Sequence, residues 1–171
     1  MIRQAVSTDA EAIARIYNHY VRETIVTFEE QPVSAEEMAK RLADTAVASL
    51  PWLVLEQDGA ILGYALASKW KSRSAYRFAV ETTIYLAPHC VGKGAGSRLY
   101  QSLVNDVRSR GFHTAIGGIA LPNPGSVALH EKLGFRQVAH FSEVGFKLNR
   151  WIDVAYWQLP LTQASDRSQS P

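Results

Sequence analysis

Gly92, Gly94 and Gly96 alternate through the run 91–96, VGKGAG, between a strand-like segment and a helical pattern. Glycine lets backbone N–H groups approach a ligand with no Cβ in the way. A helix behind such a turn adds the positive end of its dipole. Phosphate oxygens suit that arrangement, and Lys93 adds one charge. A loop that only needs positive φ angles would read the same. The spacing excludes two common phosphate motifs. A P-loop needs G-x-x-x-x-G-K-[ST], but Lys93 is followed by Gly94, and Ala87 stands where the first glycine belongs. The dinucleotide fingerprint G-x-G-x-x-G fails because the spacing here is G-x-G-x-G.

Two titratable residues stand apart from their surroundings. Glu81 interrupts the otherwise apolar or hydroxyl-bearing strand Val80-Glu81-Thr82-Thr83-Ile84-Tyr85. Strand alternation puts Glu81 and Thr83 on one face and Thr82 and Ile84 on the other. A carboxylate so placed can serve as a general base; an edge-strand glutamate in solvent is the plainer reading. His130, in Leu129-His130-Glu131-Lys132-Leu133-Gly134-Phe135, can donate a proton near neutral pH or simply pack. Lys71, Arg73 and Arg77 cluster with Tyr76, a combination that suits anionic oxygens or forms a solvated basic loop. His89 and Cys90 are adjacent, a poor spacing for a chelate, so no metal is expected. No serine sits in G-x-S-x-G, which leaves a hydrolase without its motif.

The elements that must hold these residues can be read from pattern. Ile2 to Val6 is a short strand. Thr8 with Glu11 fits a capping box ahead of a helix carrying Ile13, Ile16, Tyr17, Tyr20 and Val21. Ser34 with Glu37 opens a second helix, with Met38 and Leu42. Trp52–Gln57 and Ala60–Ser68 are strands joined by the hairpin signal Asp58-Gly59. Val80–Leu86 is the next strand. Leu99, Tyr100, Leu103, Val104 and Val107 mark a helix that Gly111 stops. Thr114–Leu121 is strand-like, a short helix follows Pro122-Asn123-Pro124, and strands are expected at about 136–146 and 151–159. The order β-α-α-β-β-β-α-β-α-β-β predicts one α+β (mixed α/β) domain over 1–161. Residues 162–171 read as a polar C-terminal tail.

Composition bounds the rest. The chain has 171 residues, 18 Lys+Arg against 16 Asp+Glu, and 47% hydrophobic residues, enough for one domain with a sizeable core. A net charge of +2 gives no footprint for nucleic acid. One cysteine excludes a disulfide framework. No apolar run approaches the ~20 residues needed to span a bilayer, and the first residues lack a signal-peptide core. A cytoplasmic protein with no membrane partner is the expectation.

The run 81–96, ETTIYLAPHCVGKGAG, resembles the acetyl-CoA-binding core of the GCN5-related N-acetyltransferase (GNAT) superfamily, usually R/Q-x-x-G-x-G/A after a strand and short turn. Val91 occupies the R/Q position, a departure that removes one side-chain contact. A second superfamily signature, an Asn followed by a helix and a Gly-Phe end, appears as Asn123 through Gly134-Phe135. More narrowly, the runs Tyr17-Asn18-His19-Tyr20, Pro51-Trp52-Leu53-Val54, Trp70-Lys71 with Arg73, Ala75-Tyr76, Glu81 to Tyr85, Leu129-His130-Glu131 and Arg150-Trp151-Ile152-Asp153 look like the phosphinothricin and methionine sulfoximine acetyltransferases. The likeness covers roughly residues 2–161.

The resemblance implies a GNAT fold, three-layer α/β/α. Its central sheet is twisted, mixed and mostly antiparallel, with about seven strands and about four helices. It implies transfer of an acetyl group from acetyl-CoA to the amino group of a small amino acid or analogue. Glu81 would be the general base, directly or through water, and His130 a proton donor to the CoA thiolate, with Tyr100 the other possible acid. The pantetheine arm would pair with Ile84, Tyr85 and Leu86, and Asn123 could bind it too. The pyrophosphate would meet Val91, Gly92, Lys93, Gly94, Ala95, Gly96 and Ser97. A backbone N–H of the strand ending at Leu86 would hold the oxyanion. Phe28, Lys71, Arg73, Tyr76 and Arg77 would bind the acceptor. Relatives of this kind look like homodimers. Two alternatives stay open: another amine acceptor (a polyamine, an aminoglycoside or a protein N-terminus), or a non-catalytic acetyl-CoA sensor. The basic loop would repel polycations, and a sensor would need neither Glu81 nor that loop.

Overall fold

The computed structural model describes residues 1–161; the expected tail lies outside the described residues. The elements run β1 (Ile2–Gln4), α1 (Ala10–Glu23), α2 (Ala35–Val47), β2 (Trp52–Gln57), β3 (Ala60–Lys69), β4 (Ala79–Leu86), α3 (Ala95–Ser109), β5 (Thr114–Leu121), α4 (Pro124–Lys132), β6 (Arg136–Lys147) and β7 (Arg150–Pro160). The strands form one sheet in the order β1-β2-β3-β4-β5-β7-β6. Neighbours are antiparallel except β4 and β5, which are parallel. The expected mostly antiparallel seven-stranded sheet with four helices is therefore the architecture observed.

Strand alternation sorts the core into two layers. On one face Leu99, Tyr100, Leu103, Val104 and Val107 of α3 pack on Ala65, Ala67, Val80, Ala115, Ile119 and Ala155 of the sheet. On the other, Ile13, Ile16, Tyr17 and Val21 of α1 and Met38 and Leu42 of α2 cover Trp52, Val54, Tyr64 and Tyr85. Helices α1, α2 and α3 thus lie against the sheet through the apolar stripes read from spacing.

The helix starts divide. Ser34 caps α2 as expected, its Oγ accepting the Glu37 N–H at 3.0 Å. The Thr8–Glu11 box does not form. A single 3-10 turn, Ser7–Asp9, precedes α1, and Asp9 takes over: its carboxylate accepts the Val6 N–H at 2.8 Å and both Arg3 nitrogens at 2.7 and 2.8 Å. A charged acceptor with a guanidinium partner outcompetes a neutral hydroxyl for the same turn. The stop of α3 is as read: Gly111 follows the C-cap residue Arg110 with φ +82°, a left-handed conformation that glycine adopts without a Cβ clash.

Candidate active site

Among the described residues, β4 and β5 are the only parallel neighbours, and they pair only over Ala79–Glu81 and Thr114–Ile116. Beyond Glu81 and Ile116 the two strands part. β4 continues on β3 to Leu86, and β5 continues on β7 to Leu121. The sheet therefore opens into a fork whose base is Glu81 and Ile116.

The hydrogen-bond parity of β4 decides what faces the fork. Ala67 N–H donates to Pro51 on the β2 side, and Ala87 N–H donates to Leu62 of β3. Odd-numbered residues of β4 therefore turn their backbone groups to β3, while Thr82, Ile84 and Leu86 turn theirs into the fork. The Leu86 carbonyl accepts the Tyr20 hydroxyl at 2.6 Å. Ile84 and Leu86 thus offer a strand edge to an extended ligand. Tyr85, expected beside them, does not: its backbone pairs with Tyr64, and its ring packs among Tyr17, Tyr20 and Tyr64.

The glycine turn lies just beyond Leu86. Gly92 and Gly94 have φ +81° and +79°, and Gly94 is the N-cap of α3. Gly96 has another purpose. A Cβ there would lie 3.2 Å from a Leu86 methyl, so glycine lets the first turn of α3 press against β4. The first intrahelical bond from this end is Arg98 N–H to Gly94. The N–H groups of Ala95, Gly96 and Ser97 precede it and have no partner within the helix. Val91, Gly92, Lys93 and Gly94 are exposed at the surface, where a pyrophosphate can approach.

Glu81 lies on the α1/α2 face at the fork's base. It lines a cavity of about 450 Å³ with Val26, Phe28, Gly118, Phe141 and Tyr156 among its walls. A Cβ at Gly118 would lie 3.4 Å from Glu81 Oε1 and 3.0 Å from the Tyr156 ring, so the carboxylate rests beside that glycine. Burial pushes the Glu81 carboxyl above its ordinary range, and the Lys71 cation partly opposes this. Lys71 Nζ lies 4.6 Å over the Trp70 ring, which meets Tyr156 edge-on at 5.4 Å. Lys71 is itself exposed and does not line the cavity; its charge reaches Glu81. Arg73, Tyr76 and Arg77 are exposed and do not line the cavity; Arg77 lies over Phe78 and donates to the Ser74 carbonyl.

His130 occupies the opposite face. It is 3% exposed, and its ring lies against Gly117, where a Cβ would overlap the imidazole. Nδ1 is 2.8 Å from the Ser126 carbonyl, Nε2 is 2.9 Å from Tyr100 Oη, and Tyr100 Oη is 2.8 Å from Thr82 Oγ1. A carbonyl only accepts, so Nδ1 carries a proton. Burial lowers the His130 pKa, which favours the neutral ring. Nε2 then accepts from Tyr100, and Thr82 donates to Tyr100 in preference to the more distant Ile116 carbonyl at 3.3 Å. Thr82 and Gly117 are the first residues of β4 and β5 beyond their last pair. This relay consequently bridges the fork's base on the α3/α4 face, and Glu81 sits at the same level on the other.

Asn123 caps α4, its Oδ1 accepting the Ser126 N–H at 3.1 Å, so its side-chain oxygen is engaged at the start of that helix. Phe28 lines the cavity. Phe141, Val144 and Tyr156 were not among the residues singled out, and they come from strands far along the chain. Phe141 and Val144, three apart across a register shift in β6, follow no simple alternation, and only the sheet order puts them and Tyr156 beside Glu81.

Residues 2–156 match the family described as an acetyltransferase (GNAT) domain. Phosphinothricin N-acetyltransferase of Streptomyces coelicolor is 39% identical, over 94% of this chain and 95% of its own. The L-methionine sulfoximine/L-methionine sulfone acetyltransferase of Salmonella typhimurium is 35% identical, over 95% of each chain. A crystal structure of a GNAT superfamily phosphinothricin acetyltransferase from Sinorhizobium meliloti in complex with AcCoA superposes with a TM-score of 0.94 at 40% identity, covering 100% of this chain and 92% of that one.

Proposed function

Because the chain belongs to the acetyltransferase (GNAT) family and is an N-acetyltransferase, we propose that it acetylates the α-amino group of small amino acids or their analogues. Phosphinothricin, methionine sulfoximine and methionine sulfone are the acceptor class, and acetyl-CoA is the donor. The named activities of relatives at 35–39% identity over nearly the whole chain support that choice. One observation carries the mechanism: Glu81 stands at the base of the fork, between a cavity for the acceptor and a strand edge for the donor.

The pantetheine arm pairs with the backbone of Ile84 and Leu86, and the pyrophosphate meets the N–H groups of 91–97. This threads the thioester into the fork. An α-amino group is largely protonated near pH 7, so its lone pair must first be freed. The raised pKa of Glu81 suits it to take that proton, directly or through one water. The amine then attacks the thioester carbon, and a backbone N–H of β4 facing the fork holds the oxyanion. The C–S bond breaks and the thiolate leaves on the side of Tyr100 and His130. His130 at rest has no proton on Nε2, so it donates only as imidazolium. Attack leaves a second proton on the nitrogen; passed through water to Nε2, it makes that imidazolium, which the negative charge growing on the sulfur favours against burial, and it then goes to the thiolate, giving the amide and CoA–SH. Glu81 returns its proton to water. Lys71, whose charge reaches Glu81, supplies a cation for an anionic group of the acceptor.

The catalytic unit in this reading is residues 1–161, acting in the cytoplasm as a homodimer. The β6–β7 hairpin supports the pairing. Val138, Phe146, Leu148 and Trp151 are exposed along it, and the Phe146 and Trp151 rings meet at 5.1 Å. CoA release with an acceptor panel, repeated in Glu81→Gln, tests the assignment.

A further inference from the structure

The segment between α1 and α2 has no regular structure, yet it is tied on both flanks. From the helix side, Asn18 exchanges two hydrogen bonds with the Val33 backbone, each 2.8 Å. Tyr17 Oη lies 2.7 Å from Thr27 Oγ1, and Arg41 meets Glu29 at 2.7 and 3.2 Å. The remaining tie comes from the other end of the sheet. Lys147, the last residue of β6, is 3% exposed, and its Nζ donates to the Thr27 carbonyl at 2.7 Å and the Tyr20 carbonyl at 3.4 Å. Two residues earlier, Gly145 receives the Phe28 ring so closely that a Cβ would overlap it.

A buried ammonium is costly unless its donors are used. Lys147 directs two of its three donors at main-chain carbonyls, which only accept. An apolar side chain could fill the same space, but it could not tie Thr27 to β6. The tie matters because of what lies beside it: Val26 and Phe28, flanking Thr27, line the Glu81 cavity, and so do Phe141 and Val144 of β6 itself. We propose that Lys147 is a positioning residue for the acceptor, holding the 26–28 segment against β6 so that Val26 and Phe28 form a fixed wall of the cavity. This rests on reading that cavity as the acceptor site. Lys147 touches neither substrate, and its effect belongs to acceptor binding alone.

Lys147→Met keeps most of the stem and removes the donors. The expected result is an acceptor KM raised about ten-fold or more, with acetyl-CoA KM and kcat within about two-fold. Amide hydrogen exchange should quicken in the peptide covering 24–30 and stay unchanged in β4. Lys147→Arg, which restores donors, should recover most of the loss. If Lys147→Met fails to fold, Gly145→Ala approaches from the other side, displacing Phe28 and giving the same acceptor-selective defect. An unchanged acceptor KM, or acceptor and acetyl-CoA KM rising together, would overturn the proposal. Phe28→Ala separates the two levels: if it leaves acceptor KM unchanged, the reading of the cavity itself is wrong.

Discussion

At neutral pH an amino-acid acceptor arrives protonated, and in the proposed mechanism Glu81, which lines the cavity, is the carboxylate that takes up that proton. Its burial raises the pKa, so the base is active above that value and is lost as pH falls through it. The acidic limb of kcat/KM should therefore lie above the ordinary glutamate range. Lys71 lowers the same pKa, so Lys71→Met should move that limb to higher pH; a limb that stays put or moves down would separate the two residues. At this scale the sequence was uneven. Glu81 announced itself as a lone carboxylate in a strand, and Phe28 followed from the family likeness. His130 was found, but its neutral form was not, because the tautomer depends on Ser126 and Tyr100 in three dimensions. Arg73 and Arg77 looked equivalent to Lys71 in the chain, and only the loop's path separates them.

The elements were more legible than their relations. Helical spacing placed α1, α2 and α3, because each buries one face against the sheet, while α4 followed from the prolines at its start and the glycine after it. The fork was not legible. It depends on β4 and β5 parting after three paired residues, and strand pairing across a helix leaves no local mark. Nor could the parity that excludes the Tyr85 backbone be read without a register. The glycine turn, by contrast, was plain, although its three glycines do different things. Gly94→Ala would force a Cβ onto φ +79°, destabilising by about 1–2 kcal/mol and tilting the N–H groups that open α3. Acetyl-CoA KM should rise while acceptor KM holds, as steady-state kinetics against each substrate would show. Equal changes in both would place the turn outside the donor site.

At the scale of the whole molecule, the proposed mechanism separates two binding tasks: the donor enters the fork between β4 and β5, and the acceptor occupies the cavity on the α1/α2 face. The donor's phosphates need backbone N–H groups at one end of the fork, and the acceptor needs a walled cavity beside Glu81. A net charge of +2 is compatible with both, since the useful charges are local. The exposed ribbon around Phe146 and Trp151 belongs to the same scale. Sedimentation should give a dimer for the native chain and a folded monomer for Trp151→Glu; a native monomer would remove the dimer from the account. The most direct test of the central claim is CoA release from acetyl-CoA with phosphinothricin, methionine sulfoximine and methionine sulfone, in native enzyme and Glu81→Gln. Turnover with at least one of these acceptors is expected. In Glu81→Gln, kcat should fall by about a hundred- to ten-thousand-fold while acetyl-CoA KM is kept and the acidic limb disappears. Native rates in Glu81→Gln, or tight acetyl-CoA binding with no turnover on any amine, would contradict it.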